Sequence, residues 1–96
     1  MQPAVYVLAN RSNRVLYVGV TSNLRNRVRV HVQHLNPGSF SDRYNVTKLV
    51  YYELLPTMWA AIAREKQIKG GSRADKVLLV ERANADWRDL AGALRG

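Results

Sequence analysis

Residues 4–9 (AVYVLA) and 15–19 (VLYVG) are short, β-branched and aromatic runs, and only the polar, turn-forming NRSNR stands between them. Two such runs so close together leave the chain little choice but a β-hairpin. A turn centred between Arg11 and Ser12 sets Tyr6 directly opposite Tyr17. Both phenols then stand on one face, while Val5, Val7, Leu16 and Val18 point the other way, into the core. The hairpin so read has one aliphatic face and one face carrying a semi-exposed tyrosine pair.

A helix is expected after the hairpin. Gly19 ends the second strand, and Thr21, Ser22 or Asn23 can cap a helix in which Leu24, Val28, Val32 and Leu35 recur at helical spacing. Asn23, Arg27, His31 and His34 form a polar stripe beside that apolar one and align a cation with two imidazoles. Beyond the loop NPGSFSDRYN, residues 47–54 (TKLVYYEL) read as a third strand. Pro56-Thr57 then starts a helix that runs to about Lys69 and stops at Gly70-Gly71. On this helix Met58, Ala61, Ile62, Glu65 and Ile68 share one stripe, which puts a carboxylate on an apolar face. Burying a carboxylate is costly unless it is paired or bound to a metal, so Glu65 is expected either to meet an arginine or to serve a site. The segment SRADKVLLVERA suits helix and strand alike. Asn84 or Asp86 opens a last expected helix, whose core face is Trp87, Leu90, Ala91 and Leu94.

Composition narrows the function classes. At 96 residues and 47% apolar, the chain fits one domain spanning residues 1–96. No apolar stretch approaches the roughly 20 residues of a membrane span, and the start MQPA lacks the charged region of a signal peptide, so a soluble cytoplasmic protein is expected. The absence of cysteine excludes disulfide frameworks and thiolate zinc sites. Fifteen Lys and Arg against seven acids give a net charge of +8. The first acid in the chain is Asp42, so the N-terminal part, with Arg11, Arg14, Arg25, Arg27 and Arg29, is purely cationic. Such a field favours a polyanionic partner, nucleic acid foremost.

Val5-Tyr6-Val7, then Tyr17-Val18-Gly19, Arg27 eight residues after the glycine, His31 four later, and Glu65 within AREKQIK resemble the motifs of the GIY-YIG nuclease superfamily. The resemblance covers nearly the whole chain and is closest to the small single-domain bacterial branch, similar to the N-terminal domain of excision-repair nucleases. It implies an α+β fold, a three-stranded antiparallel sheet flanked by helices. It also implies roles: Tyr6, Tyr17, Arg27, His31 and Glu65 as catalytic residues, Gly19 as the motif glycine, and Glu65 as ligand of a Mg²⁺ or Mn²⁺ ion. Asn23, Arg25, Arg27 and His34 would touch nucleic acid. The first motif departs from the family pattern in having Ala4 in place of its leading glycine, and Asn84 is too poorly spaced to serve as the asparagine some members use near the metal.

The chemistry implied is phosphodiester hydrolysis. A metal held by one glutamate suffices in kind, because Mg²⁺ keeps several waters and takes only one or two carboxylates. Arg27 offers a planar fork for the phosphate. A phenol with pKa near 10 is mostly protonated at neutral pH, so Tyr6 or Tyr17 needs nearby cations or a relay to act as base, and His31, near 6.5, is the natural assistant. The expected protein is a metal-dependent endonuclease acting on structured, branched or damaged DNA, in repair or recombination. It would be a monomer or weak homodimer, with a repair protein as a further partner. The alternative is a nucleic-acid-binding module on the same scaffold with little or no turnover.

Overall fold

The computed structural model describes residues 2–32 and 44–94, with the side chains of residues 31 and 32 excepted. Three strands, β1 (Ala4–Ala9), β2 (Leu16–Thr21) and β3 (Lys48–Leu54), form an antiparallel sheet in the order β2-β1-β3. Helix α1 (Leu24–Val32) comes after β2. Helices α2 (Met58–Lys69) and α3 (Arg73–Ala83) come after β3, and a short 3-10 helix (Leu90–Leu94) is last. The α+β class, the third strand and the helix ending at Lys69 agree with the sequence reading, and SRADKVLLVERA resolves as helix.

All six residues of the central strand β1 are buried, which means that both faces of the sheet are covered. On one face Tyr6 and Leu8 pack with Leu24 and Val28 of α1, Leu49, and Ala91 of the 3-10 helix. On the other, Val5, Val7 and Val18 pack with Ala61 and Ile68 of α2 and Val80 of α3. The aliphatic face points into a core as expected, but the tyrosine face is a second core rather than a half-solvated surface.

The hairpin register also differs from expectation. Val7 pairs with Val18, which sets Tyr6 opposite Gly19 and Leu8 opposite Tyr17. The turn is longer than a two-residue one because the Asn10 side chain organises it: its Oδ1 accepts from Arg14 N at 2.9 Å and Val15 N at 3.1 Å, and Asn13 adopts φ 61°. Asparagine tolerates that left-handed conformation better than most residues. Because the shift is by two residues, Tyr6 and Tyr17 still share a face.

Local rules account for the helix starts. Asn23 caps α1 through Oδ1, which accepts from Asn26 N at 3.1 Å. Thr57 caps α2, and Ser72 with Asp75 makes a capping box at α3. The expected last helix is not present as read. Residues 84–89 form a turn with Trp87 at φ 56°, and only Leu90–Leu94 wind into a 3-10 helix. Trp87 packs on the α2 side of the sheet while Leu90, Ala91 and Leu94 pack on the α1 side, so the four residues never share one face.

The reason lies in a bulge. The β1–β3 register slips between Val7 and Leu8, leaving Val50 as an extra residue on β3. Backbone groups beside it are taken up by the C-terminal segment: Asn84 Nδ2 donates to Val50 O at 3.0 Å and Leu49 N donates to Asp89 Oδ1 at 3.2 Å. Asn84 also donates to Arg88 O at 2.8 Å and accepts from Arg88 N at 3.0 Å, a clasp that competes with helix formation.

Candidate active site

Gly19 and Tyr6 define the centre of the site. A Cβ at Gly19 would lie 2.4 Å from both Cζ and Oη of Tyr6, so the phenol occupies the space that any side chain at residue 19 would fill. The glycine is required for room, not for an unusual backbone angle. Tyr6 thereby reaches across the edge strand β2 towards Tyr17, whose ring centroid stands 6.3 Å away at an interplanar angle of 40°. Such an offset, tilted pairing suits two aromatic quadrupoles.

Tyr6 is 1% exposed, contrary to the semi-exposed position expected. Burial pushes its phenol well above the ordinary value of 10.0, and the neighbouring Tyr17 and the Glu65 carboxylate push the same way, while Arg27 opposes them. A hydrogen bond with Tyr17 also opposes ionisation of Tyr6, the behaviour of a donating phenol. Tyr6 thus remains a neutral hydrogen-bond donor. Side chains from four elements, Tyr6 of β1, Tyr17 of β2, Arg27 of α1 and Glu65 of α2, lie within electrostatic reach of one hydroxyl.

Each is delivered by the fold in a definite way. Tyr17 lies on the edge strand and is half-buried. Arg27 sits one turn after the Asn23 cap and is half-buried on α1, next in sequence to Val28, which is anchored in the core. Arg25 and Arg29 are exposed on the same helix, which has no acid in its first turn. Glu65 sits on α2 between the buried Ala61 and Ile68, with its side chain 16% exposed. Ile62, expected on that buried stripe, is 37% exposed. The partner of Glu65 is Lys69 one turn on, at 3.5 Å, not an arginine. Arg64 instead crosses to the far edge of the sheet, where its Nε lies 3.1 Å from Glu53 Oε1, and the Tyr51 hydroxyl donates to Glu53 Oε2 at 2.6 Å. The two neighbouring residues of α2 therefore divide the work: Arg64 ties the helix to β3 while Glu65 acts electrostatically on the Tyr6 phenol.

Not every expected site residue joins this group. Asn23 is exposed, and its side-chain oxygen serves the helix cap. His31 lies in the last turn of α1 with its side chain outside the described residues, and His34 and Leu35 lie outside them altogether. Asn84, left out of the expected site for its poor spacing, belongs to the β3 bulge. Sequence reasoning missed Tyr52, which pairs directly with Tyr6 from β3, and the Glu53–Arg64 brace. A glutamate within YYEL and an arginine next to the singled-out Glu65 were the available signals.

Among the described residues, no three His, Cys, Asp or Glu side chains come together to hold a metal ion. A lone, mostly buried carboxylate whose partner is a half-exposed lysine on its own helix nevertheless fits a hard cation that completes its shell with water and phosphate oxygens.

Residues 2–77, which carry all four converging side chains, match the family model of the GIY-YIG catalytic domain. The chain belongs to the GIY-YIG family. GIY-YIG domains are endonuclease domains that generally use divalent metal ions. A UPF0213 protein of Syntrophus aciditrophicus (strain SB) is 35% identical over 81 residues, covering 80% of this chain and 87% of that protein. The UvrABC system protein C of Alkaliphilus metalliredigens (strain QYMF) is 36% identical over 56 residues, which are 58% of this chain but only 9% of that much longer protein. The solution NMR structure of a UPF0213 protein from Bacillus halodurans has the same fold, with a TM-score of 0.59 at 22% identity and 93% of each chain covered. The GIY-YIG match and the kinship with the UvrC segment support a nuclease role.

Proposed function

We propose that this GIY-YIG protein is a Mg²⁺-dependent endonuclease that hydrolyses phosphodiester bonds in structured, branched or damaged DNA, in the cytoplasm and in the service of repair or recombination. The observation that carries the proposal is that Tyr17, Arg27 and Glu65, from three other elements, all act electrostatically on the buried Tyr6 hydroxyl, with the Tyr17 ring 6.3 Å from that of Tyr6.

Arg27 holds the scissile phosphate through its guanidinium, neutralising charge that grows on the phosphoryl oxygens. Tyr17, the half-buried phenol on the edge strand, takes the proton from the attacking water. Tyr6, kept neutral by burial, donates its hydrogen bond to Tyr17 and holds that oxygen in place. His31 assists by receiving the proton onward. Glu65 would hold the metal, and a divalent cation bound there would supply Lewis-acid neutralisation of charge on the departing 3′ oxygen. Arg25 and Arg29, exposed on α1, extend the cationic surface along the DNA backbone, and Asn23 and His34 are the further residues proposed to touch it.

The test is cleavage of labelled single-stranded, duplex, flapped and four-way DNA with Mg²⁺ and with EDTA, by wild type, Glu65→Ala and Arg27→Ala. Cleavage is expected only with metal, and is expected to fall by at least about 10²-fold in each variant, the scale of one catalytic group. The Glu65–Lys69 pair favours a second reading, a binding module whose carboxylate is merely neutralised within its own helix. Binding without cleavage by wild type, unchanged in Glu65→Ala, would establish that reading instead.

A further inference from the structure

Trp59 stands 86% exposed in the first turn of α2, the most exposed large hydrophobic residue among those described. Its neighbours give that exposure a direction. At about 100° of rotation per residue, the buried Ala61 and Ile68 define the inward face of α2, and Trp59 points almost directly away from it. Going round the helix from Trp59 towards Glu65, the sector of about 120° holds Lys66, Ile62, Lys69 and the half-buried Met58 in that order. Ile62 and both lysines are exposed, and Glu65 is the only acid on that flank. The flank is therefore a continuous apolar and cationic ramp that ends at the candidate metal ligand.

We infer that this flank is a nucleobase-binding site, in which the Trp59 indole stacks on an unpaired base of the substrate strand while Lys66 and Lys69 engage flanking phosphates. The nucleic-acid ligand rests on the proposed nuclease reading; the base platform goes beyond it. Two exposed apolar residues make far too small a patch for a stable protein interface, which buries about 800 Å² per partner. A single flat aromatic among lysines is instead the composition that grips single strands, because every base has a face to stack and every nucleotide a phosphate to pair. The net charge of +8 draws the same ligand. Along the helix axis Trp59 precedes Glu65 by about 9 Å, or roughly two to three stacked base steps. The gripped base thus lies a few nucleotides from the bond to be cut. Paired bases in a duplex present no free face, so the platform selects substrates with a local single-stranded segment.

The test is binding in EDTA, where no cleavage interferes, of a single-stranded oligonucleotide, a flapped duplex and a fully paired duplex to wild type, Trp59→Ala and Trp59→Tyr. Trp59 lies on the surface, so both variants should fold, and the circular dichroism of each provides the check. Wild type is expected to prefer the single-stranded and flapped ligands. Trp59→Ala should lose about tenfold on these, the scale of one stacked base, so that the preference for unpaired DNA collapses, and Trp59→Tyr should recover most of it. Tryptophan fluorescence should be quenched by the single strand in wild type and not in Trp59→Tyr, where Trp87 is the remaining indole. Equal binding of the unpaired ligands by wild type and Trp59→Ala, with no quenching, would overturn the platform and point to a protein contact. That result would leave the nuclease reading standing, since cleavage is judged separately through Glu65 and Arg27.

Discussion

Tyr6 and Gly19 are two halves of one arrangement. Because Tyr6 is walled in by Leu24, Val28 and its strand neighbours, its ring cannot swing aside to admit a methyl group at residue 19. Gly19→Ala should therefore cost about 1–3 kcal/mol, the usual penalty of overpacking, and displace the hydroxyl from the site. Chemical denaturation should register the first effect, and loss of cleavage out of proportion to the lost stability the second. Tyr6→Phe probes the proton itself. The folded phenol titrates above 10.0, the value it regains on unfolding, so above about pH 10 the unfolded chain releases a proton that the folded chain keeps. Tyr6 thus contributes stability that is complete below pH 10 and declines as pH rises towards the folded value. Replacing it by phenylalanine should flatten the alkaline limb of a stability-against-pH curve; an unchanged limb would argue that the hydroxyl is well solvated. At this scale the sequence was informative about identity and misleading about environment. It placed both tyrosines on one face, yet the pairing depends on the Asn10 side chain, which lengthens the turn, and no periodicity reports that.

Among the elements, the β3 bulge decides how the C-terminal segment runs. Asn84 is 6% exposed and bonded to Val50 and Arg88, so Asn84→Ala would leave buried backbone groups without partners and should cost about 2–3 kcal/mol. A shift of the urea midpoint measures it, with cleavage at saturating metal preserved where the fold survives. The strands, α1 and α2 could be read from apolar spacing, Gly-Gly and the caps, because those signals are local; SRADKVLLVERA suited helix and strand alike, and the structure makes it the helix α3, capped by Ser72 and Asp75. The last helix could not. Trp87, Leu90, Ala91 and Leu94 have helical spacing in sequence, but the backbone at the bulge claims Asn84 and Asp89 and parts the tryptophan from the other three. The same limit hid the Glu53–Arg64 brace, whose members lie 11 residues apart and meet only once α2 lies across the sheet.

For the whole molecule, charge and chemistry separate. The excess of fifteen cations over seven acids is spread over α1, α2, α3 and the loops, whereas the converging side chains are four. DNA affinity should accordingly fall steeply and linearly with salt on logarithmic axes, and Glu65→Ala should keep the same slope while losing cleavage. A changed slope would mean that Glu65 shapes the binding surface. The net charge was plain in the sequence, and the family motifs pointed to the candidate site; hidden from both was the second core that closes over the tyrosine face.

That closure has a kinetic meaning. β1 is hydrogen-bonded to a neighbour on each side and covered on both faces, so its backbone amides can meet solvent only when the molecule opens as a whole. Deuterium should enter Tyr6 last, at the rate of global unfolding, well after the chain ends. On the proposed reading, Tyr6 at the centre of the candidate site belongs to the strand expected to exchange most slowly, so cleavage should persist on warming up to the unfolding transition and be lost together with the fold.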